Sequence, residues 1–375
     1  MIYLDNAATT QLHPLVKEEM IRALDIFGNP SSTHELGRKS KIEIERVRKS
    51  IATHLKCHPG EIFFCGGGTE ADNFALYSSV QDLGVTHIIT SAIEHHAVGH
   101  PIEDLAKNHN VRVSEIAVNE HGDLNLAELE AVINTKEKTL VSLMFANNEI
   151  GNLNPMKEIV ALAKKYNALV HSDCVQAVGH VQFDLQEIPF DFIAFSAHKI
   201  HGPKGAGFCY AKGGLGVKPQ ILGGGQERNM RAGTENILGI IGMGKAVELA
   251  IQNFEADKAY ITEIKRYAIE QLSNVFDDLV FLGQSGNIAK SLYTVLNIGF
   301  PQDGATGMLT FSLDMKGIAA SGGSACNSGS NQGSHVIRAL GEKFANYVPC
   351  RISFSRFNSK SDIDAFVKAI KEIRA

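Results

Sequence analysis

Apolar runs alternate with amphipathic segments along residues 13–252 of this 375-residue chain. Strand-like apolar runs lie at 62–65, 86–91, 111–113, 140–145, 168–172, 191–195 and 207–210. Helical patterns begin at Pro14 and after His96, and cover 40–56, 126–134 and 156–166. In the segment 40–56, Ile44, Val47 and Ile51 recur on one face while charged residues cover the other. Strands that alternate with helices in this way predict an α/β fold, with a mostly parallel sheet and helices on both faces.

The rhythm changes towards the C-terminus. A long helix from about residue 236 is followed by short strands at 279–282, 292–298, 317–320 and 350–354, and by helices at 257–275, 304–312, 333–341 and 361–373. This pattern favours a smaller α+β domain. We predict a large domain of residues 13–252 and a small domain of residues 1–12 and 253–375, with the N-terminal stretch packed against the latter.

Polar residues occur repeatedly where the predicted strands end. They are Thr69, His95, Asn148, Asp173, Gln176, Ser196, His198 and Lys199. Because the carboxyl ends of parallel strands meet at one edge of an open sheet, and ligands bind there, we expect these side chains to converge on one site. That convergence carries more weight than any single motif.

Lys199 stands at the end of the predicted strand 191–195, before the loop Gly202-Pro203-Lys204-Gly205. A lone lysine in such a place is more often a solvated surface charge. Here Ser196 and His198 are small donors suited to an anion, and a lysine with a lowered pKa condenses with aldehydes. We therefore predict that Lys199 carries pyridoxal phosphate as a Schiff base.

Two other segments fit the same cofactor. Gly66-Gly67-Gly68-Thr69 joins a strand to a helix start, which offers backbone N–H groups to a phosphate, although a glycine triplet alone is more often a flexible turn. Asp173, three residues before Gln176, is either a plain turn residue or the carboxylate that pairs with the pyridine nitrogen. Gln176 is then placed to donate to the phenolate oxygen. Lys199 favours the second interpretation.

His95 and Arg351 each have two interpretations. The pair His95-His96 suggests a metal site, but neighbouring histidines point apart and no third ligand is suitably spaced, so we predict no metal. His95 instead suits stacking on the cofactor ring and proton transfer near neutral pH. Arg351 presents a planar fork to a substrate carboxylate, whereas from spacing alone a surface ion pair is the simpler interpretation.

Composition and charge narrow the function. The formal net charge is −5 with no basic block, which argues against nucleic acid, and 44% hydrophobic with 21% charged residues is typical of soluble proteins. No signal peptide or membrane span is recognisable, so we expect a cytoplasmic protein without a membrane. The six cysteines form no C-x-x-C pair and are expected to be reduced thiols.

Cys326 differs from the other cysteines. It lies in Ser321-Gly322-Gly323-Ser324-Ala325-Cys326-Asn327-Ser328-Gly329, a run of small residues with nothing to bury a thiol. Cys209 and Cys350, in contrast, lie in strand-like runs where a thiol serves as a small hydrophobe. One interpretation is a surface cysteine without a function. However, an exposed thiol on a flexible segment is open to unwanted oxidation, so a reactive role for Cys326 is the favoured interpretation.

Together these residues resemble the cysteine desulfurases of the NifS/IscS-like group, within the class V aminotransferase family of fold-type I pyridoxal phosphate enzymes. The resemblance runs from Tyr3 to the last helix. Its most specific motifs are Ser196-Ala197-His198-Lys199, Arg231-Ala232-Gly233-Thr234 and Ser321-Gly322-Gly323-Ser324-Ala325-Cys326. It implies a large cofactor-binding domain and a small domain carrying a catalytic-cysteine loop at about 321–332.

The resemblance also implies roles for single residues. Lys199 would hold the cofactor, His95 would stack on its ring, Asp173 and Gln176 would contact the pyridine nitrogen and phenolate oxygen, and Cys326 would be the nucleophile. The phosphate would be held by Gly68, Thr69, Ser196 and His198, and by Thr234 from the other subunit of a homodimer. Asn148 and Arg351 would hold the substrate carboxylate.

The implied reaction removes sulfur from L-cysteine, gives L-alanine, and leaves a persulfide on Cys326 for a protein acceptor such as an iron–sulfur scaffold. Alternatives are a selenocysteine lyase, an aminotransferase of the same fold, or a non-catalytic sulfur-relay or scaffold protein. The sequence departs from the commoner family pattern at Cys65-Gly66, Cys174 and Ser355. Of these, Cys174 adds a second thiol near the cofactor.

Overall fold

A seven-stranded sheet forms the centre of the N-terminal part of the chain in the computed structural model, which describes residues 1–322 and 333–375. Counted along the whole described chain, the strands of this sheet and of two smaller sheets are β1 (Ile2–Tyr3), β2 (Ile62–Cys65), β3 (His87–Ser91), β4 (Arg112–Ile116), β5 (Thr139–Ser142), β6 (Leu169–Asp173), β7 (Phe192–Ser196), β8 (Gly207–Ala211), β9 (Val280–Phe281), β10 (Val295–Pro301), β11 (Ile318–Ala319) and β12 (Tyr347–Ser353). The large sheet has the order β2-β8-β7-β6-β5-β3-β4, and only β8 runs antiparallel to its neighbours. The predicted α/β class is confirmed.

Helices surround this sheet and continue into the C-terminal part. They are α1 (Pro14–Ala23), α2 (Glu35–Leu55), α3 (Gly68–Gln81), α4 (His96–His109), α5 (Leu126–Ile133), α6 (Met156–Lys165), α7 (Gln226–Asn229), α8 (Ile237–Gln252), α9 (Phe254–Val275), α10 (Leu309–Met315), α11 (His335–Ala339) and α12 (Lys360–Ile373). The central strands are apolar because helices cover both faces of the sheet. All five residues of β7, for example, are buried.

Some element boundaries differ from the prediction for local reasons. Helix α2 begins at Glu35 rather than at residue 40, because the His34 ring caps it by accepting a hydrogen bond from the Gly37 N–H at 3.2 Å. The helix predicted at 304–312 is wrong in its limits. A 3₁₀ turn at Thr306–Met308 comes first, and α10 follows it to Met315.

The C-terminal part has its own apolar cluster and its own sheet. Strands β12, β10 and β9 form an antiparallel sheet, and β1 pairs with β11 in parallel. Leu4, fully buried, packs in the same cluster as Leu296, Ile352 and Phe366. The N-terminal stretch therefore lies against C-terminal elements. The domain limits drawn at residues 12 and 252 stay a prediction.

Across residues 1–322 and 333–375, no single helix is long and apolar enough to cross a membrane. By length and apolar composition alone, α8 and α9 taken together would be sufficient, but the two helices are bent by 74° relative to each other.

A buried ion pair fixes α2 to the segment that follows the loop after β8. The guanidinium of Arg48 donates to both carboxylate oxygens of Glu227 at 2.7 and 2.8 Å, and Glu227 also accepts from the Phe64 N–H at 2.7 Å. Within α7, Glu227, Arg228 and Asn229 all have left-handed backbone, with φ of 44°, 57° and 65°, so this short element is a left-handed turn and not a right-handed α-helix. That conformation is costly for residues other than glycine, so the pair stabilises a strained turn.

Replacing Arg48 with alanine is expected to lower the free energy of unfolding by about 3–5 kcal/mol, because the Glu227 carboxylate is left buried without its partner. The measurement is urea unfolding followed by circular dichroism. Arg46→Ala is the matched control: it removes an arginine of the same helix whose side chain is half exposed and pairs with Glu43 at the surface. That change should cost about 1 kcal/mol or less. Equal losses in the two variants would contradict the stabilising role of the buried pair.

Candidate active site

One cavity of about 890 Å³ opens at the carboxyl ends of the central strands. Its lining includes every strand-end residue predicted to converge: Thr69, His95, Asn148, Asp173, Gln176, Ser196, His198 and Lys199. Gly68 and Arg351 also line it. The predicted convergence is therefore found, and the volume is sufficient for a cofactor together with a small substrate.

Lys199 ends a 3₁₀ turn, Ala197–Lys199, that follows β7 directly. Its Nζ donates to the main-chain carbonyls of Ala7 and Ala8 at 2.7 and 2.8 Å. The N-terminal segment and the lysine turn are held together by further bonds, since the Thr10 N–H donates to the His198 carbonyl at 2.9 Å. The turn thus directs the lysine side chain into the cavity rather than to solvent.

Asp173, which is buried, and His95, which is partly buried, both line the cavity. Asp173 ends β6, and one carboxylate oxygen accepts from the Val175 N–H at 2.9 Å. Burial raises the pKa of Asp173, while the nearby His95 and Lys199 act to lower it. Burial likewise lowers the pKa of His95, and its Nδ1 accepts from the Ala97 N–H at 3.1 Å at the start of α4. A neutral His95 therefore carries its proton on Nε2.

The glycine loop before α3 leaves a shallow cradle. Gly67 has φ of 149°, and a Cβ there would come within 3.3 Å of the Ser196 Oγ. A Cβ on Gly68 would lie 2.6 Å from a methyl group of Val175. Helix α3 begins at Gly68 with no side-chain cap for its first N–H groups, and Gly68 and Thr69 both line the cavity. This donor-rich helix start suits a phosphate.

The cavity residues fit pyridoxal phosphate. An amine, a deep carboxylate, an imidazole and a capless helix start are the groups that a pyridine ring with an aldehyde and a phosphate requires. Gln176, the predicted partner of the phenolate oxygen, lines the same wall and its Nε2 donates to the Ala7 carbonyl at 3.0 Å. The functional interpretation of Asp173 and Gln176 is thus compatible with their placement.

Arg351 is 1% exposed, so the surface ion pair considered from the sequence is wrong. Its guanidinium donates to the Asn148 carbonyl at 2.9 Å and to the Asp5 carboxylate at 2.8 Å. Its Nε has no hydrogen-bond partner among the described residues. Arg351 lines the cavity and Asp5 does not, so the ion pair fixes the guanidinium at the cavity wall.

Of the predicted site residues that the structure describes, Thr234 does not line this cavity. Thr234 lines a separate, smaller cavity with Cys65 and Arg231. Cys326 lies outside the described residues, as does most of the predicted loop 321–332. The described residue at which the predicted loop begins, Ser321, is bonded to strand β12: Ser321 and Arg351 exchange two main-chain hydrogen bonds, at 3.1 and 2.7 Å.

The described cysteines are poor nucleophiles. Cys209 and Cys350 are fully buried in strands, as their sequence context predicted. Cys174, expected to place a second thiol near the cofactor, is fully buried beside Asp173 and does not line the cavity. Burial raises the pKa of Cys174, and that of Cys57 to about 12, which suppresses the reactive thiolate.

Three buried carboxyl groups of the cavity were not singled out from the sequence: Asp72, Glu94 and Glu149. Burial raises the pKa of each, that of Glu94 to about 8 even though Ser91 and Met144 donate to its carboxylate. Glu94 directly precedes His95, and Glu149 directly follows Asn148. The strand-end rule applied to whole segments, rather than to single residues, would have found both.

Among the described residues, no group of three or more histidine, cysteine, aspartate or glutamate side chains is arranged to hold a metal ion.

Comparison with known proteins agrees with this site. The Aminotransferase class-V family model matches residues 2–366. The chain is 38% identical over 377 aligned residues to a protein named cysteine desulfurase IscS from Clostridium botulinum (strain Hall), with 99% of this chain and 94% of the relative covered. A solved structure described as a NifS-like protein superposes with a TM-score of 0.91 at 33% identity, covering 100% and 99% of the two chains.

A second solved structure, described as SspA in complex with cysteine, has a TM-score of 0.80 at 29% identity and covers 96% of this chain and 100% of its own. The family match over nearly the whole length, together with a cavity that fits the cofactor, leads to one conclusion. The chain belongs to the class-V aminotransferase family of pyridoxal phosphate-dependent enzymes.

Proposed function

We propose that this protein is a cysteine desulfurase, which converts L-cysteine to L-alanine and keeps the sulfur as a persulfide on Cys326. The observation that carries the proposal is one cavity in which the Lys199 amine, the Asp173 carboxyl and the Arg351 guanidinium meet. Relatives named cysteine desulfurase align with 99% of the chain and support the choice of substrate.

Binding of the substrate falls to Arg351 and Asn148. Arg351 lines the cavity, and the ion pair with Asp5 keeps the guanidinium plane fixed before the substrate arrives. A cationic group at the cavity wall favours an amino acid with a free α-carboxylate over an amine that lacks one. The cofactor phosphate would be held by Gly68, Thr69, Ser196 and His198.

Proton transfer falls to Lys199 and His95. The chemistry that pyridoxal phosphate supplies when bound is an electron sink for the substrate α-carbon, maintained by the Asp173 carboxylate at the pyridine nitrogen. Lys199 Nζ would be the base that takes the substrate α-proton. The neutral His95 ring, protonated on Nε2, lines the same cavity and would exchange a proton with the substrate thiol.

Sulfur transfer requires a thiolate at Cys326, a role assigned from the sequence. The thiolate sulfur attacks the substrate sulfur, so a sulfur–sulfur bond forms as the carbon–sulfur bond breaks. The electron pair of the broken bond returns to carbon, which is protonated and leaves as L-alanine. The overall change moves one neutral sulfur atom from substrate to enzyme, with no external oxidant or reductant.

We further propose a cytoplasmic homodimer that passes the sulfur to a protein acceptor such as an iron–sulfur scaffold. The five described cysteines are unpaired, as suits a reducing compartment. Thr234 faces a different cavity from Lys199 of its own chain, and the exposed Leu222 lies on the same loop. Both features are accounted for if this loop reaches the partner's phosphate site.

The test is product analysis with purified protein, L-cysteine and dithiothreitol. Alanine and sulfide are expected in equal amounts, and mass spectrometry without reductant should find one added sulfur atom on the peptide containing Cys326. Alanine formation only in the presence of a keto acid would indicate an aminotransferase, and turnover of selenocysteine alone would indicate a lyase. Either result would contradict the proposal, as would a purified protein without a visible chromophore.

A further inference from the structure

The main-chain carbonyl of Lys199 is contacted by the side chain of His180. His180 Nε2 lies 3.3 Å from that carbonyl oxygen, and the other ring nitrogen, Nδ1, lies 3.3 Å from the hydroxyl of Tyr293. The neighbouring carbonyls of His198 and His201 instead accept backbone N–H groups. A side-chain substitution at position 180 therefore removes a contact to the Lys199 carbonyl itself, whereas the Thr10 hydroxyl donates to the neighbouring His198 carbonyl at 2.9 Å.

The direction of the two hydrogen bonds follows from the chemistry of the groups. A carbonyl oxygen only accepts, so His180 must carry its proton on Nε2. Burial lowers the pKa of His180 to about 4, so the ring is neutral at neutral pH and its Nδ1 is an acceptor. Tyr293 has a raised pKa, keeps its proton, and donates it. The chain of donors thus runs from Tyr293 through His180 to Lys199.

The fold makes room for this contact. Gly179 has φ of 84°, and a Cβ there would lie 2.9 Å from a methyl group of Ile200 and 3.1 Å from the Cβ of Ala250. Only glycine lets the turn that carries His180 come this close to the residue after Lys199. Tyr293 belongs to the apolar cluster of the C-terminal part, whereas Ile200 belongs to the cluster under the large sheet.

We propose that His180 and Tyr293 are positioning residues for Lys199, fixing its backbone so that the amine points at the cofactor aldehyde. The proposal rests on the proposed function only in taking Lys199 as the residue that binds pyridoxal phosphate. The lysine turn is then anchored to both apolar clusters. Strand β7 and Ile200 connect it to the cluster under the large sheet, and His180 and Tyr293 connect it to the cluster of the C-terminal part. Neither residue touches the reacting atoms.

The experiment measures how fast protein stripped of its cofactor recaptures pyridoxal phosphate, followed by visible absorbance. A net hydrogen bond is worth a factor of about five, so His180→Leu should slow capture about fivefold. Tyr293→Phe, which removes a single oxygen, should slow it in the same direction but less. His180→Gln retains a donor near the position of Nε2 and should restore most of the rate. Tyr77→Phe, which loses a hydrogen bond to Asp104 far from Lys199, is the control and should match the wild type.

A double variant separates positioning from general loss of stability. Because Tyr293 acts through His180, adding Tyr293→Phe to His180→Leu should slow capture no further. Additive effects, or an unchanged rate in His180→Leu, would overturn the proposal. If His180→Leu does not fold, Tyr293→Phe and His180→Gln carry the test, and an unchanged rate in Tyr293→Phe would then be decisive against it. Capture that persists in Lys199→Ala would instead show that the proposed function assigns the wrong lysine.

Discussion

Lys199→Ala is expected to give a folded protein that has lost cysteine turnover by at least about a thousandfold, because the residue both attaches the cofactor and moves the α-proton. The attachment is tested directly. Borohydride reduction should fix the chromophore covalently to the wild type, in the peptide that contains Lys199, and should fix none to the variant. Release of alanine and sulfide measures the loss of turnover.

Two controls sharpen this test. Lys204→Ala removes a second lysine that lines the same cavity, and it should retain covalent attachment. Lys199→Arg keeps the positive charge opposite the Ala7 and Ala8 carbonyls but cannot condense with an aldehyde. If the arginine variant kept turnover, the charge and not the amine chemistry of the residue would be what matters, and the assignment would be wrong.

Cys326→Ala is expected to keep the visible absorbance of the bound cofactor and to lose sulfide release, again by about a thousandfold. The groups assigned to the cofactor are described residues of the cavity, and among the described residues that line it there is no cysteine to accept the sulfur in place of Cys326. The measurement is sulfide release in the presence of dithiothreitol, with absorbance recorded on the same sample.

Cys174→Ala is the matched control, since it removes the thiol nearest in sequence to Asp173. Its sulfur is fully buried and its raised pKa disfavours the thiolate, so sulfide release should stay within about twofold of the wild type. Full activity in Cys326→Ala, or loss of it in Cys174→Ala with the fold intact, would move the nucleophile away from residue 326.

The sequence was sufficient to predict the α/β class and most of the cavity. Strand ends are local features: an apolar run, a polar residue and a glycine or proline identify them without knowledge of the fold. The rule that such ends share one edge of a parallel sheet then brings Thr69, Asp173 and Lys199 together. All three line the cavity.

Other parts of the site could not be predicted, because their partners are far apart in the chain. Nothing local in the sequence indicates that Asp5 pairs with Arg351, or that Lys199 Nζ donates to the Ala7 carbonyl. The burial of Arg351 was missed for the same reason: strand β12 reads as an ordinary short strand until β10 and the N-terminal segment are packed around it. Element limits such as the start of α2 depended on a histidine cap that composition does not reveal.

The placement of the first residues bears on how the protein is made. Ile2 pairs with Ile318, the side chain of Asn6 donates to the Ser353 carbonyl, and Ala7 accepts from Lys199. Two of these three partners, Ile318 and Ser353, lie far along the chain in β11 and β12 and are synthesised correspondingly later. During synthesis the segment around Ile2 therefore has no place to dock until β11 and β12 have emerged, and the catalytic pocket is completed only then.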